Sequence, residues 1–285
     1  MKPFLPLIIN PVAGSFHRKR FQKACDILRE KFILKEFYTQ KRGDAQEIAK
    51  EVSKESPAVI AVVGGDGTFN EVINATAYSG IPLSFIPAGT SNVLAKEHLI
   101  PEEMVEAARR ILSGRETELH LGYINGRYFA LMAGVGFDGA TVYNLNKPLK
   151  ILLGKGAYVL SGLQTFCRYR PERLRIDVDG REYGATDVIV CNARRYGGNF
   201  TICPDADMRR PLLDLFILDG KGRMDLFRVF LGIISGKRLE FSNTSYLEAR
   251  RVYIDGDAHV QVDGDYFGRT PVEITIRERA IKLII

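Results

Sequence analysis

The chain has no tryptophan, and its 285 residues include only four cysteines, four histidines and five methionines. The cysteines, Cys25, Cys167, Cys191 and Cys203, show no Cys-x-x-Cys spacing. A structural zinc site needs closely spaced ligand pairs, and the histidines are too dispersed to supply them. Disulfide frameworks belong to small secreted chains dense in cysteine, so this chain reads as reduced and cytoplasmic. No uncharged apolar run approaches the roughly 18 residues that a membrane-crossing helix needs. The opening, MKPFLPLIINP, turns apolar at once and reaches Asn10-Pro11 too early for a cleavable signal peptide.

What remains is globular. Hydrophobic residues make up 46% and charged residues 26%, and a net charge of +6 favours anionic partners such as nucleotide, anionic lipid or nucleic acid. No basic-aromatic recognition motif stands out, which argues against nucleic acid. In the first third, apolar strands at 5–9, 33–38, 58–63 and 83–86 alternate with helical spacing at 21–32, 44–55, 68–77, 91–98 and 102–113. Asp44 is placed to cap the second helix and Gly114 to end the fifth. Such alternation predicts parallel βαβ units. After about residue 117 turn pairs take over: Asn125-Gly126, Asp179-Gly180, Asp219-Gly220, Asp255-Gly256 and Asp263-Gly264. These mark hairpins. The predicted fold is α/β plus all-β. An open, mainly parallel α/β nucleotide domain spans 1–117. An antiparallel β-sandwich spans 118–285, with a helical excursion near 148–168.

Three small-residue loops follow strands of the first domain: Asn10–Ser15, Gly64–Thr68 and Pro87–Asn92. In an open parallel sheet such loops emerge together at the carboxyl edge, where ligands bind. Turns favour Gly, Asn and Ser for their own reasons, and the first loop alone reads no further than that. Gly64-Gly65-Asp66-Gly67-Thr68 is different, because three glycines give up chain entropy that an ordinary turn need not lose. The helix start behind them offers N–H groups to phosphate. The loop lacks the lysine of a Walker sequence and the spacing of Gly-x-Gly-x-x-Gly. Asp66 sits where phosphate would approach, so a cation or a hydroxyl must lie between them.

These residues carry a resemblance. GGDGT at 64–68 with Asn70 and Glu71, Asn10-Pro11 with Gly14, and Pro87-x-Gly-Thr-x-Asn at 87–92 resemble motifs of the diacylglycerol kinase catalytic-domain family. Those soluble bacterial lipid kinases are related to sphingosine and ceramide kinases and, more distantly, to NAD kinases. AGVGFDG at 133–139, Asn192 with Gly197-Gly198 and Pro204, and Asp263-Gly264-Asp265 resemble later motifs in the same order. Val93 stands where many relatives have Asp, Asp265 where Glu is usual, and Asp207–Leu213 where Asp-Gly-Leu is usual. The resemblance implies that ATP and lipid meet in a cleft between an α/β domain and a sandwich. It implies ATP contacts from Asn10, from Gly64, Gly65, Asp66, Gly67, Thr68 and Asn70, and from Gly89, Thr90 and Asn92. Thr39 joins them by resemblance, and reads equally as an ordinary strand-end threonine. Mg2+ is the implied ion, with Asp214, Pro211 and Phe216 holding a metal. A salt bridge from Asp214 to Arg209 or Arg210 is the alternative for a carboxylate in an apolar strand.

A lipid hydroxyl needs somewhere to send its proton. Asp263 and Asp265 are the candidate bases, with Asp66 beside the phosphates. Asp-Gly is also the best hairpin turn, and several others here carry no chemistry. Two apart on one strand, the two acids would face the same side. Asp263 is favoured narrowly, because it keeps the family's residue. Asp138 either joins this polar network or caps a helix. The expected activity is ATP-dependent phosphorylation of a hydroxyl on a membrane-derived lipid, diacylglycerol first. The alternatives are a sphingoid base, an NAD-like soluble compound, or a non-catalytic nucleotide- or lipid-binding role. Residues 143–170 mix apolar runs with Lys147, Lys150, Lys155, Arg168 and Arg170. That suits peripheral contact with the inner face of a membrane, or a core-packed helix with a basic edge. A homodimer is compatible with the resemblance.

Overall fold

The computed structural model describes residues 2–145, 155–220, 222–235 and 241–285. The chain forms two compact units, residues 1–121 with 278–285, and residues 122–277. The expected division at 117/118 is therefore amended. The join falls at 121/122, and the end of the chain returns to the first unit. The cause is the long strand Val272–Ile284, whose last residues pair in parallel with the first unit, Lys282 beside Pro82 and Leu283 beside Leu83.

In the first unit, β1 (Phe4–Ile9), β2 (Ile33–Tyr38), β3 (Ile60–Gly64) and β4 (Pro82–Pro87) lie in the order β2-β1-β3-β4, all parallel. Every residue of β3 is buried, as a strand covered on both faces requires. Helices α1 (Arg18–Leu28), α2 (Asp44–Ser53), α3 (Asp66–Thr76), α4 (Val93–Glu97) and α5 (Met104–Ser113) alternate with the strands. Leu5, Leu7 and Ile9 of β1 pack with Phe21 and Leu28 of α1, Val63 of β3 and Ile111 of α5. Each such side chain, fully buried, contributes roughly 1.5–3 kcal/mol.

Asp44 is not the cap of α2. Gly43, at φ +91, takes that place, and Asp44 Oδ2 accepts from the N–H groups of Gln40 (2.8 Å) and Lys41 (3.0 Å). The free N–H groups at this helix start are met from α3 instead. Glu71 accepts from Gly43 N–H (2.9 Å) and Ala45 N–H (3.2 Å).

The second unit is antiparallel. One sheet runs Thr244–Ala249, Leu213–Leu218, Asp187–Cys191, Met132–Val135, His259–Val262, Asp265–Arg269. Its two central strands, Asp187–Cys191 and Met132–Val135, are buried at every position, as is the adjoining Leu213–Leu218. A second layer includes Arg181–Ala185, Leu174–Val178, Arg251–Asp255 and the start of Val272–Ile284. Val188, Val190, Leu213 and Leu215 of the first sheet share a core with Ile176, Val252, Ile254 and Ile274 of the second. The helix Phe137–Tyr143 packs on the first sheet and on the helix Lys155–Arg168. The Asn125-Gly126, Asp179-Gly180 and Asp263-Gly264 turns take positive φ at both residues, as two-residue hairpins of this twist require. Asp219-Gly220 does not close a hairpin, and leads from Leu213–Leu218 toward the helix Arg223–Ser235. No helix among the described residues is long and apolar enough to cross a membrane. Of the expected basic lipid-contact segment, Arg168 and Arg170 are exposed, while Lys147 and Lys150 lie outside the described residues.

Candidate active site

At the carboxyl edge of β1, β3 and β4 the three small-residue loops bind one another. Asn10 N–H donates to Val63 O (2.8 Å), and Ala88 N–H to Gly64 O (2.7 Å). Ser15 reaches the third loop twice, through N–H to Ala88 O (2.7 Å) and hydroxyl to Gly89 O (3.0 Å). Asn10 Nδ2 donates to Thr68 Oγ1 at 3.2 Å. Gly65 and Gly89 meet backbone to backbone, and a Cβ on Gly89 would stand 2.6 Å from Gly65 Cα. Two ordinary residues could not make that approach.

Asp66 is a clamp in this arrangement. Its carboxylate accepts from Val93 N–H and Leu94 N–H, both at 3.0 Å. These are free donors at the start of α4, so Asp66 caps that helix from the neighbouring loop. Burial pushes its pKa up, and the amides of Leu94 and Val93 pull against that. Asn92, at φ +46, accepts from Gly89 N–H (2.9 Å) and donates to Glu102 Oε2 (3.0 Å), which fixes the third loop from the other side. The expectation of Asp66 as a residue of the chemistry is thus met by a carboxylate whose two oxygens already bind backbone. Gly67 is the contrasting neighbour. It is exposed, its φ is ordinary, and no atom lies within 4 Å of where a Cβ would stand. Thr90 is exposed at the same edge. Thr39 is buried at the end of β2, its N–H on Ile9 O (2.8 Å). Asn70 is buried in α3 and accepts from Asn74.

The acids of the second unit separate in a similar way. Asp263 and Gly264 form the turn between His259–Val262 and Asp265–Arg269, at φ +49 and +81. Asp263 is therefore not on a strand, and the expected same-side alternation with Asp265 does not apply. Its carboxylate turns inward. Oδ2 accepts from Ala130 N–H (2.9 Å), and Oδ1 from Leu131 N–H (2.9 Å) and Met132 N–H (3.0 Å). Burial raises its pKa against the pull of those amides and of Arg127. Asp265 turns to Arg127, with Oδ2 3.4 Å from Nη2 and a side chain 29% exposed.

Beneath the turn runs a chain of polar contacts. Gln261 Oε1 accepts from Gly264 N–H (2.8 Å), and its Nε2 donates to Asp138 Oδ2 (2.7 Å). Tyr196 O–H donates to Asp138 Oδ1 (2.7 Å). Asp138 belongs to this network; Gly136 takes the cap position of the helix Phe137–Tyr143, and Asp187 accepts from its first N–H, that of Phe137 (2.7 Å), and from Tyr169 O–H (2.9 Å). Burial raises the pKa of both acids, and the Asp138 charge pushes Asp187 further. Sequence reasoning assigned nothing to Gln261, Tyr196 or Asp187, and gave Glu71 no role beyond its place in the glycine-loop motif. The one available signal was Gln261, a polar residue between Val260 and Val262.

Asp214 is buried in the strand Leu213–Leu218, with Oδ2 3.9 Å from Arg210 Nη1. Arg210 also binds Glu248 at 2.5 Å. Phe216 lies in the same strand, paired on both sides, with Ile189 and Tyr246. Among the described residues no three His, Cys, Asp or Glu side chains converge as a metal cluster. Asp214, Pro211 and Phe216 thus bring one carboxylate, already faced by a guanidinium, and backbone carbonyls. That donor set does not by itself make the oxygen cage that Mg2+ takes.

Comparison with known proteins gives a consistent result. Residues 5–124 match a family described as the diacylglycerol kinase catalytic domain, and residues 132–285 one described as the YegS C-terminal NAD kinase beta sandwich-like domain. A diacylglycerol kinase of Bacillus subtilis is 30% identical over 291 positions, covering 98% of this chain and 95% of its own. A diacylglycerol kinase of Mycobacterium tuberculosis is 33% identical over 256 positions, covering 85% and 82%. The crystal structure of a diacylglycerol kinase from Bacillus anthracis superposes with a TM-score of 0.83 at 25% identity, covering 99% of this chain and 96% of its own.

Proposed function

The chain belongs to the diacylglycerol kinase catalytic-domain family, and from that premise we propose that it moves the γ-phosphoryl group of ATP to a hydroxyl of a membrane-derived lipid, diacylglycerol first. Gly67 carries the reading. Glycine costs up to about 1 kcal/mol relative to alanine, the full figure applying to a helix interior. At Gly64, Gly65 and Gly89 the chain's own packing uses the missing side chain, and at Gly67 it does not. Space kept open beside the first N–H groups of α3 suits a phosphate chain, which those groups and the positive end of the helix attract. Asn10, Asn92 and Asp66 hold the three loops in the shape that keeps it open.

Asp265 is the proton acceptor in this reading, in preference to Asp263. The lipid oxygen bonds to the γ-phosphorus as the bond to the β–γ bridging oxygen breaks, ADP leaves with that electron pair, and the hydroxyl proton passes to the Asp265 carboxylate. Asp263 cannot turn outward without abandoning three backbone amides. Mg2+ arriving with ATP would neutralise charge on the transferring group. Peripheral contact with a membrane surface, where such a lipid resides, belongs to the same proposal.

The test is transfer of label from γ-labelled ATP to dioctanoylglycerol, sphingosine and NAD in parallel. Labelled phosphatidic acid is the expected product. Label in another acceptor redirects the substrate, and label in none of them contradicts the kinase reading.

A further inference from the structure

The helix Arg223–Ser235 of the second unit is apolar on two opposite faces. Leu226 and Val229 are buried, while Met224, Phe227 and Leu231 stand 64%, 42% and 50% exposed. At 3.6 residues per turn the three exposed side chains fall within about 60° of one another, roughly opposite the buried pair. A helix at the surface of a globular protein ordinarily turns polar side chains outward. Here the outward stripe is apolar, and it is edged by Arg223 on one side and Arg228 on the other, both exposed. The short strand Phe200–Thr201 packs beside this helix, and Phe200 is exposed as well.

We propose that this face seats the protein on an anionic bilayer, with the helix lying in the plane of the interface. The proposal deepens the reading of a membrane-resident substrate, and rests on it. What it adds is the surface that makes the contact, which lies outside the expected stretch 143–170. Charge selects the occupant. From Lys221 to Arg238 the sequence carries five basic residues and one acid. That acid, Asp225, lies 3.6 Å from Arg228, and its side chain is 16% exposed. Just before the stretch, Asp219 is bound by Arg173. Anionic headgroups attract such a cluster, and an arginine can lay its stem along apolar surface while its head stays in the polar layer. The apolar stripe then leaves water for the boundary of the acyl chains, as in a helix bound flat on a membrane. A second copy of the chain fits this face less well. Two such faces bring arginine edges of one sign together, and a stable interface takes roughly 20–30 residues a side, far more than one helix face offers.

The chain has no tryptophan, so Leu231→Trp places a single reporter on the stripe without burying anything polar. On vesicles of phosphatidylcholine with about one third phosphatidylglycerol, its emission should shift to the blue and be quenched by brominated acyl chains. On phosphatidylcholine alone the shift should be much smaller. Raising salt from about 0.1 M to about 1 M, which shortens the Debye length from about 10 Å to about 3 Å, should weaken it. In co-sedimentation with the anionic vesicles, Met224→Gln, Phe227→Gln and Leu231→Gln together should lower partitioning about tenfold or more. Arg223→Gln with Arg228→Gln should lower it about tenfold. Vesicles that carry the protein down while the reporter stays unshifted show another face on the membrane and overturn the proposal, as does an absence of binding. A blue shift that grows with protein concentration and needs no vesicles gives the face to a second copy and overturns it too. If the reporter enters the bilayer but the parent phosphorylates no acceptor, the docking surface stands and the kinase reading fails.

Discussion

Asp66 in the first unit and Asp263 in the second invite comparison. Each stands in a glycine-marked turn, each was expected to act on substrate, and each instead spends its carboxylate on backbone N–H groups. Asp66 takes two, from Val93 and Leu94. Asp263 takes three, from residues 130–132. Near each stands a second residue: Gly67, whose missing side chain faces open space, and Asp265, which faces Arg127. On the reading proposed above, the acid that builds the site and the position that meets the ligand are close in sequence and opposite in role in both turns. A motif can thus hold a carboxylate for architecture and offer its chemistry one or two residues later.

The largest expected effect separates the two acids of the second unit. Asp263→Asn turns one acceptor into a donor against donors, and should cost about 2–4 kcal/mol of unfolding free energy. Asp66→Asn likewise leaves one backbone amide facing a donor, and should cost a similar amount. Asp265→Asn, more exposed, should stay within about 0.5 kcal/mol of the parent while kcat falls roughly a hundredfold or more. Urea denaturation beside initial-rate kinetics checks all three. Equal stability in Asp263→Asn and Asp265→Asn would break the comparison.

A smaller effect concerns pH. Asp187 has a folded pKa raised by burial and by the Asp138 charge, and its Oδ2 is buried with no hydrogen-bond partner. Such a group binds more protons folded than unfolded. Its contribution is complete below the unfolded value, about 4, and is lost as pH rises through the folded value. Stability should therefore fall with rising pH across that window, and Asp187→Asn should flatten the slope. Melting curves at closely spaced pH values measure it, and an unchanged slope would remove Asp187 as its source.

Much of this was legible in the sequence where local chemistry decides. Continuous apolar runs gave β1, β3 and β4, and the Asn-Gly and Asp-Gly pairs gave three hairpin turns at the expected residues. The glycine loops were legible because three glycines in five residues need a reason. The division of labour within the loops was not. Asp66 meets α4 and Glu71 meets α2 only once the sheet order places them side by side. Asp263 left its expected strand because the same Asp-Gly chemistry that signals a hairpin puts the aspartate in the turn itself. Residues 278–285 read as the end of a sandwich, and nothing in their alternation reveals a parallel pairing with Pro82 and Leu83.

The central claim, that the space at Gly67 is kept for a phosphate chain, is tested most directly by Gly67→Ala followed in stability and in nucleotide use together. With no atom within 4 Å to clash, alanine should strengthen α3. The gain is at most about 1 kcal/mol, a rise in Tm of up to roughly 2–4 °C for a chain of this size. The account predicts that this more stable protein loses ATP, with KM raised about tenfold or more. A higher Tm with unchanged KM and kcat would contradict it, since the glycine would then be an ordinary helix defect with no ligand to explain it.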